Sequence, residues 1–92
     1  GKALEIGTSN GNSLWGIGVN AISILSNAYY NSGYKYSNNG YATRYDCGAG
    51  NGSHAWNIAG NNVSGAGAAA TFTQAMTLDA SGNLGVGTTS PK

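Results

Sequence analysis

The sequence predicts an all-β protein made of short antiparallel strands and hairpins. Apolar residues recur at every second position in several stretches. Clusters of Asn, Gly, Asp and Ser interrupt those stretches at about the 8–12-residue spacing of all-β modules. Only residues 66–75 offer a helix, and Gly67, Thr71 and Thr73 weaken it.

The strands can be justified in order. From Trp15 the odd positions Ile17, Val19 and Ala21 are apolar, while Gly16, Gly18 and Asn20 separate them. After Asn20 the apolar set moves to Ile22, Ile24, Ala28 and Tyr30, a change of phase that predicts a bulge or a break near Asn20–Ala21. Asn31-Ser32-Gly33 predicts a turn between Tyr30 and Tyr34. Asn39-Gly40, between Tyr36 and Tyr41, reads as a hairpin turn. Tyr41, Thr43 and Tyr45 alternate with Ala42, Arg44 and Asp46. Cys47 to Ser53 reads as loop, His54, Trp56 and Ile58 as a short strand face, and Gly60 to Gly67 as loop again. Phe72, Gln74, Met76 and Leu78 alternate as one strand. Asp79-Ala80-Ser81-Gly82-Asn83 is a turn before Leu84 and Val86, giving a C-terminal hairpin at about 76–88. Gly40 and Gly82 are expected at positive φ. Leu4-Glu5-Ile6-Gly7-Thr8 loosely echoes Leu84-Gly85-Val86-Gly87-Thr88.

Residues 1–92 are expected to form a single module, with both ends read as cuts in a longer polypeptide. Only seven residues are charged, and the net charge is +1. That balance gives no electrostatic footprint for nucleic acid, and no window approaches the length of a membrane-spanning helix. The side chains able to build a core are five Ile, five Leu, three Val, Met76, Phe72, two Trp and six Tyr, against 16 glycines. A chain of this length buries only about two-thirds of its unfolded surface. Cys47 is the only cysteine, so no internal disulfide staples the fold, and no Cys/His cluster suits a structural metal. The chain is therefore expected to share its core with copies of itself.

The segment Thr77-Leu78-Asp79-Ala80-Ser81-Gly82-Asn83-Leu84-Gly85-Val86-Gly87-Thr88-Thr89-Ser90-Pro91 resembles the "IDSSGNVGIGTTSP" element of bacteriophage tail fibres and tailspikes. In that family the element lies just upstream of an endosialidase-type intramolecular chaperone. Tyr41-Ala42-Thr43-Arg44-Tyr45, His54-Ala55-Trp56 and the run from Phe72 to Asp79 are similar to fibre domains that precede it. The resemblance covers residues 41–91, and the first 40 only by composition. It implies an intertwined homotrimeric fibre-type module, located in the virion and assembled in the bacterial host cytoplasm. A reducing cytoplasm also suits the free thiol of Cys47. Met76, Leu78, Leu84 and Val86 are the expected trimer core, with Asp79 accepting N–H bonds across the turn, Gly82 and Asn83 at positive φ, and Pro91 ending the strand. The chaperone's cleavage-site serine has no counterpart here, and Ser90 is not read as a nucleophile.

Catalysis finds little support. His54 has only Cys47 and Asp46 as partners, and the seven-residue loop Cys47–Ser53 that precedes it would leave their geometry unfixed. Three acidic residues give no defined glycosidase pair. Gly48-x-Gly50-x-Gly52 lacks the strand–helix context of a phosphate loop. No catalytic residue, metal or cofactor is assigned. The six tyrosines lie within 17 residues among Asn and Ser, a chemistry that suits either a small core or recognition of a host cell-surface glycan. The candidate binding residues are Tyr29, Tyr34, Tyr41, Arg44, His54 and Trp56, with Asn31 and Asn39 beside them. The reading is a structural, host-contacting module of a trimeric tail fibre. A lectin-like domain acting alone is the alternative, followed by an ice-binding protein, which lacks its Thr-x-Thr ladder, and last a glycan depolymerase.

Overall fold

The computed structural model describes residues 3–7, 11–48 and 50–89, and every regular element among them is a strand. Nine follow in chain order: β1 (Ala3–Ile6), β2 (Asn12–Gly18), β3 (Ala21–Ser26), β4 (Ala28–Tyr30), β5 (Tyr34–Tyr36), β6 (Gly40–Gly48), β7 (Ser53–Asn62), β8 (Thr73–Leu78) and β9 (Leu84–Val86). Seven make one antiparallel sheet in the order β1-β2-β3-β6-β7-β8-β9, and β4 and β5 form a separate hairpin. The all-β antiparallel class follows as expected. The sheet is a meander interrupted once, between β3 and β6, where the small hairpin is inserted.

Several local expectations need correction. The phase change near Asn20 is a hairpin turn at Val19-Asn20, with Gly18 opposite Ala21 and a bulge one step earlier, between Gly16 and Gly18. Asn31-Ser32-Gly33 does join two paired strands, with Ser32 and Gly33 at φ 52° and 120°. Gly40 and Gly82 take the expected positive φ, 112° and 87°. Asn39-Gly40 is nonetheless no hairpin turn, because β5 and β6 belong to different sheets. Asn27, itself at φ 58°, organises that crossover. Its amide nitrogen donates to the carbonyls of Asn38 (3.2 Å) and Tyr41 (3.1 Å), and its oxygen accepts from the Asn38 N–H at 2.9 Å.

The expected loop from Cys47 to Ser53 is shorter, since β6 runs on to Gly48 and β7 starts at Ser53. β7 also continues to Asn62, into the stretch read as loop. In β8 the register jumps between Trp56 and Asn57, so Phe72 and Gln74 face one side while Met76 and Leu78 face the other. The terminal hairpin pairs Leu78 with Leu84, but only Gly82 of its turn has positive φ, not Asn83. Lys2, Ser90, Pro91 and Lys92 lie outside the described residues.

One face of the large sheet is covered. The β4–β5 hairpin and the segment 63–72 pack on it around buried Leu25, Ala28, Tyr36, Ala42 and Ala59, with Trp15, Tyr34, Ala68, Ala70 and Phe72 at the margin. Alanine at Ala28, Ala42 and Ala59 lets the covering hairpin come close. The Tyr36 hydroxyl donates to the Gly60 carbonyl at 2.6 Å and Ser13 Oγ to the Ala28 carbonyl at 2.8 Å, so these two hydroxyls are satisfied in the seam, whereas the buried Trp15 Nε1 at its margin has no hydrogen-bond partner. Leu25 is the only large aliphatic side chain in this core. Burying one leucine contributes about 2 kcal/mol, so the single chain's core is thin.

Gly48 ends β6 at φ 97°, where an added Cβ would stand 2.1 Å from the Asn20 carbonyl oxygen. Gly48→Ala is expected to cost about 2 kcal/mol or more, from left-handed strain and overpacking together. Gly60→Ala meets open space with ordinary φ and is the control, neutral or slightly stabilising. Urea-unfolding midpoints of the two variants check this.

Asp79 Oδ1 accepts the N–H groups of Asn83 at 2.8 Å and Ser81 at 3.0 Å. The Asn83 backbone bond is the main reason its pKa is held below the usual 3.8, with the Asn83 side chain and the Ser81 and Gly82 N–H groups adding to it against a desolvation penalty. A lowered folded-state pKa stabilises above the unfolded value, and that contribution disappears as pH falls through the folded value. The melting temperature is therefore expected to drop on acidification below about pH 4. In Asp79→Asn this part of the drop should be missing.

Candidate functional site

Among the described residues none covers the sheet's other face. Cross-strand register sets its residues in rows. One row crosses all seven strands: Leu4, Leu14, Ile24, Tyr45, Trp56, Met76 and Val86. The row beside it runs Gly16, Ile22, Cys47, His54, Leu78 and Leu84. On the other side Ile6, Asn12, Ser26, Thr43, Ile58 and Thr73 make a mixed third row. None of these residues is Asp, Glu, Lys or Arg. Glu5, Arg44 and Asp46 belong to the covered face, because successive side chains alternate. Ile24, Ile58, Leu84 and Val86 are exposed by 51%, 50%, 60% and 77%, although a lone aliphatic run of this kind is normally buried.

Side-chain size varies across the strands. The edge strands carry Leu4, Ile6, Leu84 and Val86, while the middle strands β6 and β7 carry Tyr45, His54 and Trp56. Those three rings form a cluster: Tyr45–Trp56 centroids lie 5.3 Å apart, Tyr45–His54 5.9 Å and His54–Trp56 6.3 Å. The Tyr45 hydroxyl is 2.5 Å from His54 Nδ1. Burial first, and the neighbouring Cys47 thiol second, raise the Tyr45 pKa above 10.0. The phenol thus keeps its proton, and its hydroxyl shares one hydrogen bond with His54 Nδ1. Beside the cluster a groove of about 580 Å³ is lined by Ile24, Ser26, Thr43, Tyr45, Trp56 and Ile58.

The residues expected to bind a host surface are dispersed. His54 and Trp56 lie on the open face, where Tyr45, which sequence reasoning passed over, joins them. Tyr41 sits at the end of the same face and is 68% exposed. Tyr34 and Arg44 meet on the covered face instead: the guanidinium carbon lies 4.4 Å from the Tyr34 ring centre and 4.9 Å from that of Phe72. Tyr29 is half-buried in the small hairpin, apart from both groups. The expected trimer-core residues Met76, Leu78, Leu84 and Val86 all fall on the open face. Cys47 and His54 are direct cross-strand partners, not ends of a loose loop. Asp46, their tempting third member, points to the opposite face. A triad from these three residues does not form.

Asp46 organises a buried polar cluster there. It accepts from Arg44 Nε (3.0 Å) and Nη2 (2.9 Å), from Asn57 Nδ2 (3.3 Å) and from the Ser23 hydroxyl. Four donors around one carboxylate, capped by two aromatic rings on the cation, satisfy the charge pair that the covering hairpin removes from water. Comparison with family models, curated proteins and solved structures gives no match.

Asp46→Ala would leave the guanidinium buried without its partner. The expected cost is about 3 kcal/mol, with Asp46→Asn losing less because it keeps an acceptor for Ser23. Chemical unfolding of both variants measures the difference.

Proposed function

We propose that the chain is a structural module of a homotrimeric, phage-type tail fibre, in which the open sheet faces of three copies close on one another. The observation that carries this reading is the uncharged apolar face. Seven strands at about 4.8 Å spacing, five residues deep, present about 500 Å² in projection. Side-chain relief brings that toward the roughly 800 Å² per partner of a standard interface. Soluble monomers rarely leave such a patch open.

Threefold closure is favoured by the gradient of side-chain size. In a two-sheet sandwich the sheets lie about 10 Å apart along their whole width, so side chains of even size fit best. Three sheets around an axis leave the widest gap beneath their middle strands, where Tyr45, His54 and Trp56 stand. The resemblance of residues 41–91 to fibre domains points the same way. In this assembly His54 and Trp56 fill the interior. Contact with a host glycan then falls to Tyr41 and the connections around Asn31 and Asn39, multiplied by three through avidity.

A second reading, a lectin-like domain acting as a monomer, is favoured by the groove beside Tyr45 and Trp56, which joins aromatic faces to Ser26 and Thr43 hydroxyls. One experiment separates the two. Ile24→Asp places a carboxylate in the middle of the open face, and Thr71→Asp places one on an exposed position of the covering segment. The trimer reading expects Ile24→Asp to be monomeric by light scattering and Thr71→Asp to remain trimeric. An assembly unaffected by Ile24→Asp would overturn it. A monomeric parent chain that binds glycans on an array, and loses them on Trp56→Ala, would establish the lectin reading.

A further inference from the structure

The large sheet ends in two unused edges. Among the described residues the outer sides of β1 and β9 have no strand partner. Natural sheets usually blunt such edges with lysine, proline, a bulge or a covering loop. Here neither strand contains Lys or Pro, and the register of each with its inner neighbour is regular. The one charge on either edge, Glu5, lies on the covered face opposite Ser13.

The two edges also match. Both read Leu-x-Ile/Val-Gly-Thr, with Leu4 and Ile6 on β1 and Leu84 and Val86 on β9 all facing the open side. In both strands the next residue is a glycine at positive φ, Gly7 at 95° and Gly87 at 77°. The sheet has seven strands and every neighbouring pair is antiparallel, so the first and last strands run in the same direction. A contact between them across two copies is therefore heterologous and parallel. Such a contact either closes into a ring or runs on as a filament.

We propose that β9 of one copy pairs in parallel with β1 of the next around a threefold axis, Leu84 beside Leu4 and Val86 beside Ile6. The pairing rests on the trimer reading above and adds what joins its corners. The register overlaps both short strands fully and keeps their apolar side chains on the interior face. It sets Glu5 beside Gly85, where no side chain competes for the space. Seven strands per copy at about 4.8 Å make each side roughly 34 Å long and put each sheet's midline about 10 Å from the axis. That distance exceeds the reach of leucine but suits the central Tyr45 and Trp56. An axis running along the strands thus accounts for both the edge sequences and the size gradient.

The test is site-directed cross-linking in a Cys47→Ser background, with sedimentation of each variant run in parallel. Leu4→Cys combined with Leu84→Cys should form an intermolecular disulfide under mild oxidation. Most of the chain should then migrate as a covalent trimer on denaturing gels, with nothing larger. Each single variant should give only monomer. Ile6→Cys with Val86→Cys tests the same ladder if the first pair fails to fold. A sedimenting trimer without cross-links from either pair would overturn the edge pairing while leaving the trimer reading intact. A dimer from a single variant, meaning symmetric edges, would also overturn it, as would a ladder beyond three, meaning stacking along the fibre. A sedimenting monomer would remove both readings.

Discussion

A broad antiparallel sheet has two faces to cover, and the described residues outside this one cover a single face. Among the described residues the β4–β5 hairpin and the segment 63–72 occupy the first face, and none covers the second. The rest of the structure depends on that imbalance. It explains why the buried core consists of one leucine, one tyrosine and three alanines. Most of the remaining aliphatic residues in the strands and the Tyr45–His54–Trp56 cluster lie across the other side.

The covered face is specified by polar as well as apolar contacts. Asp46, Arg44, Ser23 and Asn57 form one satisfied network beneath the hairpin, and Asn27 fixes where the chain leaves and re-enters the large sheet. A buried ion pair adds little net stability compared with apolar packing, but its hydrogen-bond geometry is demanding. Its link to the hairpin is the Arg44 guanidinium, which lies against the Tyr34 ring as well as that of Phe72. Placing Arg44 there also removes the nearest full charge from the open face, so a single alternation along β6 serves both sides. The account of assembly follows directly: a face without Asp, Glu, Lys or Arg avoids the large penalty of desolvating ions when another copy covers it.

The fold class was legible because period-two patterns and Asn/Gly/Ser turns depend on local backbone chemistry. The terminal hairpin was legible for the same reason, including the Asp79 cap and the positive φ of Gly82. Long-range choices were not. Nothing local distinguishes Asn39-Gly40 as a crossover between sheets from Asn-Gly as a hairpin turn. The missing information is the Asn27 amide, more than ten residues away. Likewise, the bulge in β8 opposite Trp56 and Asn57 moves Phe72 and Met76 to opposite faces although their spacing suggests one. The open face was legible in part, through Met76, Leu78, Leu84 and Val86. Tyr45 and its pairing with His54 required the β6–β7 register, hidden because the short turn that joins the two strands was read as a longer loop. The first row across seven strands could have been found by asking which alternating set contains no charge.

The central claim is that the uncharged sheet face is an interface between copies of this chain. Sedimentation equilibrium of the unsubstituted protein across the micromolar range tests it most directly. The account predicts a single species of three chain masses over that range. A species of one chain mass throughout, folded and soluble, would contradict it.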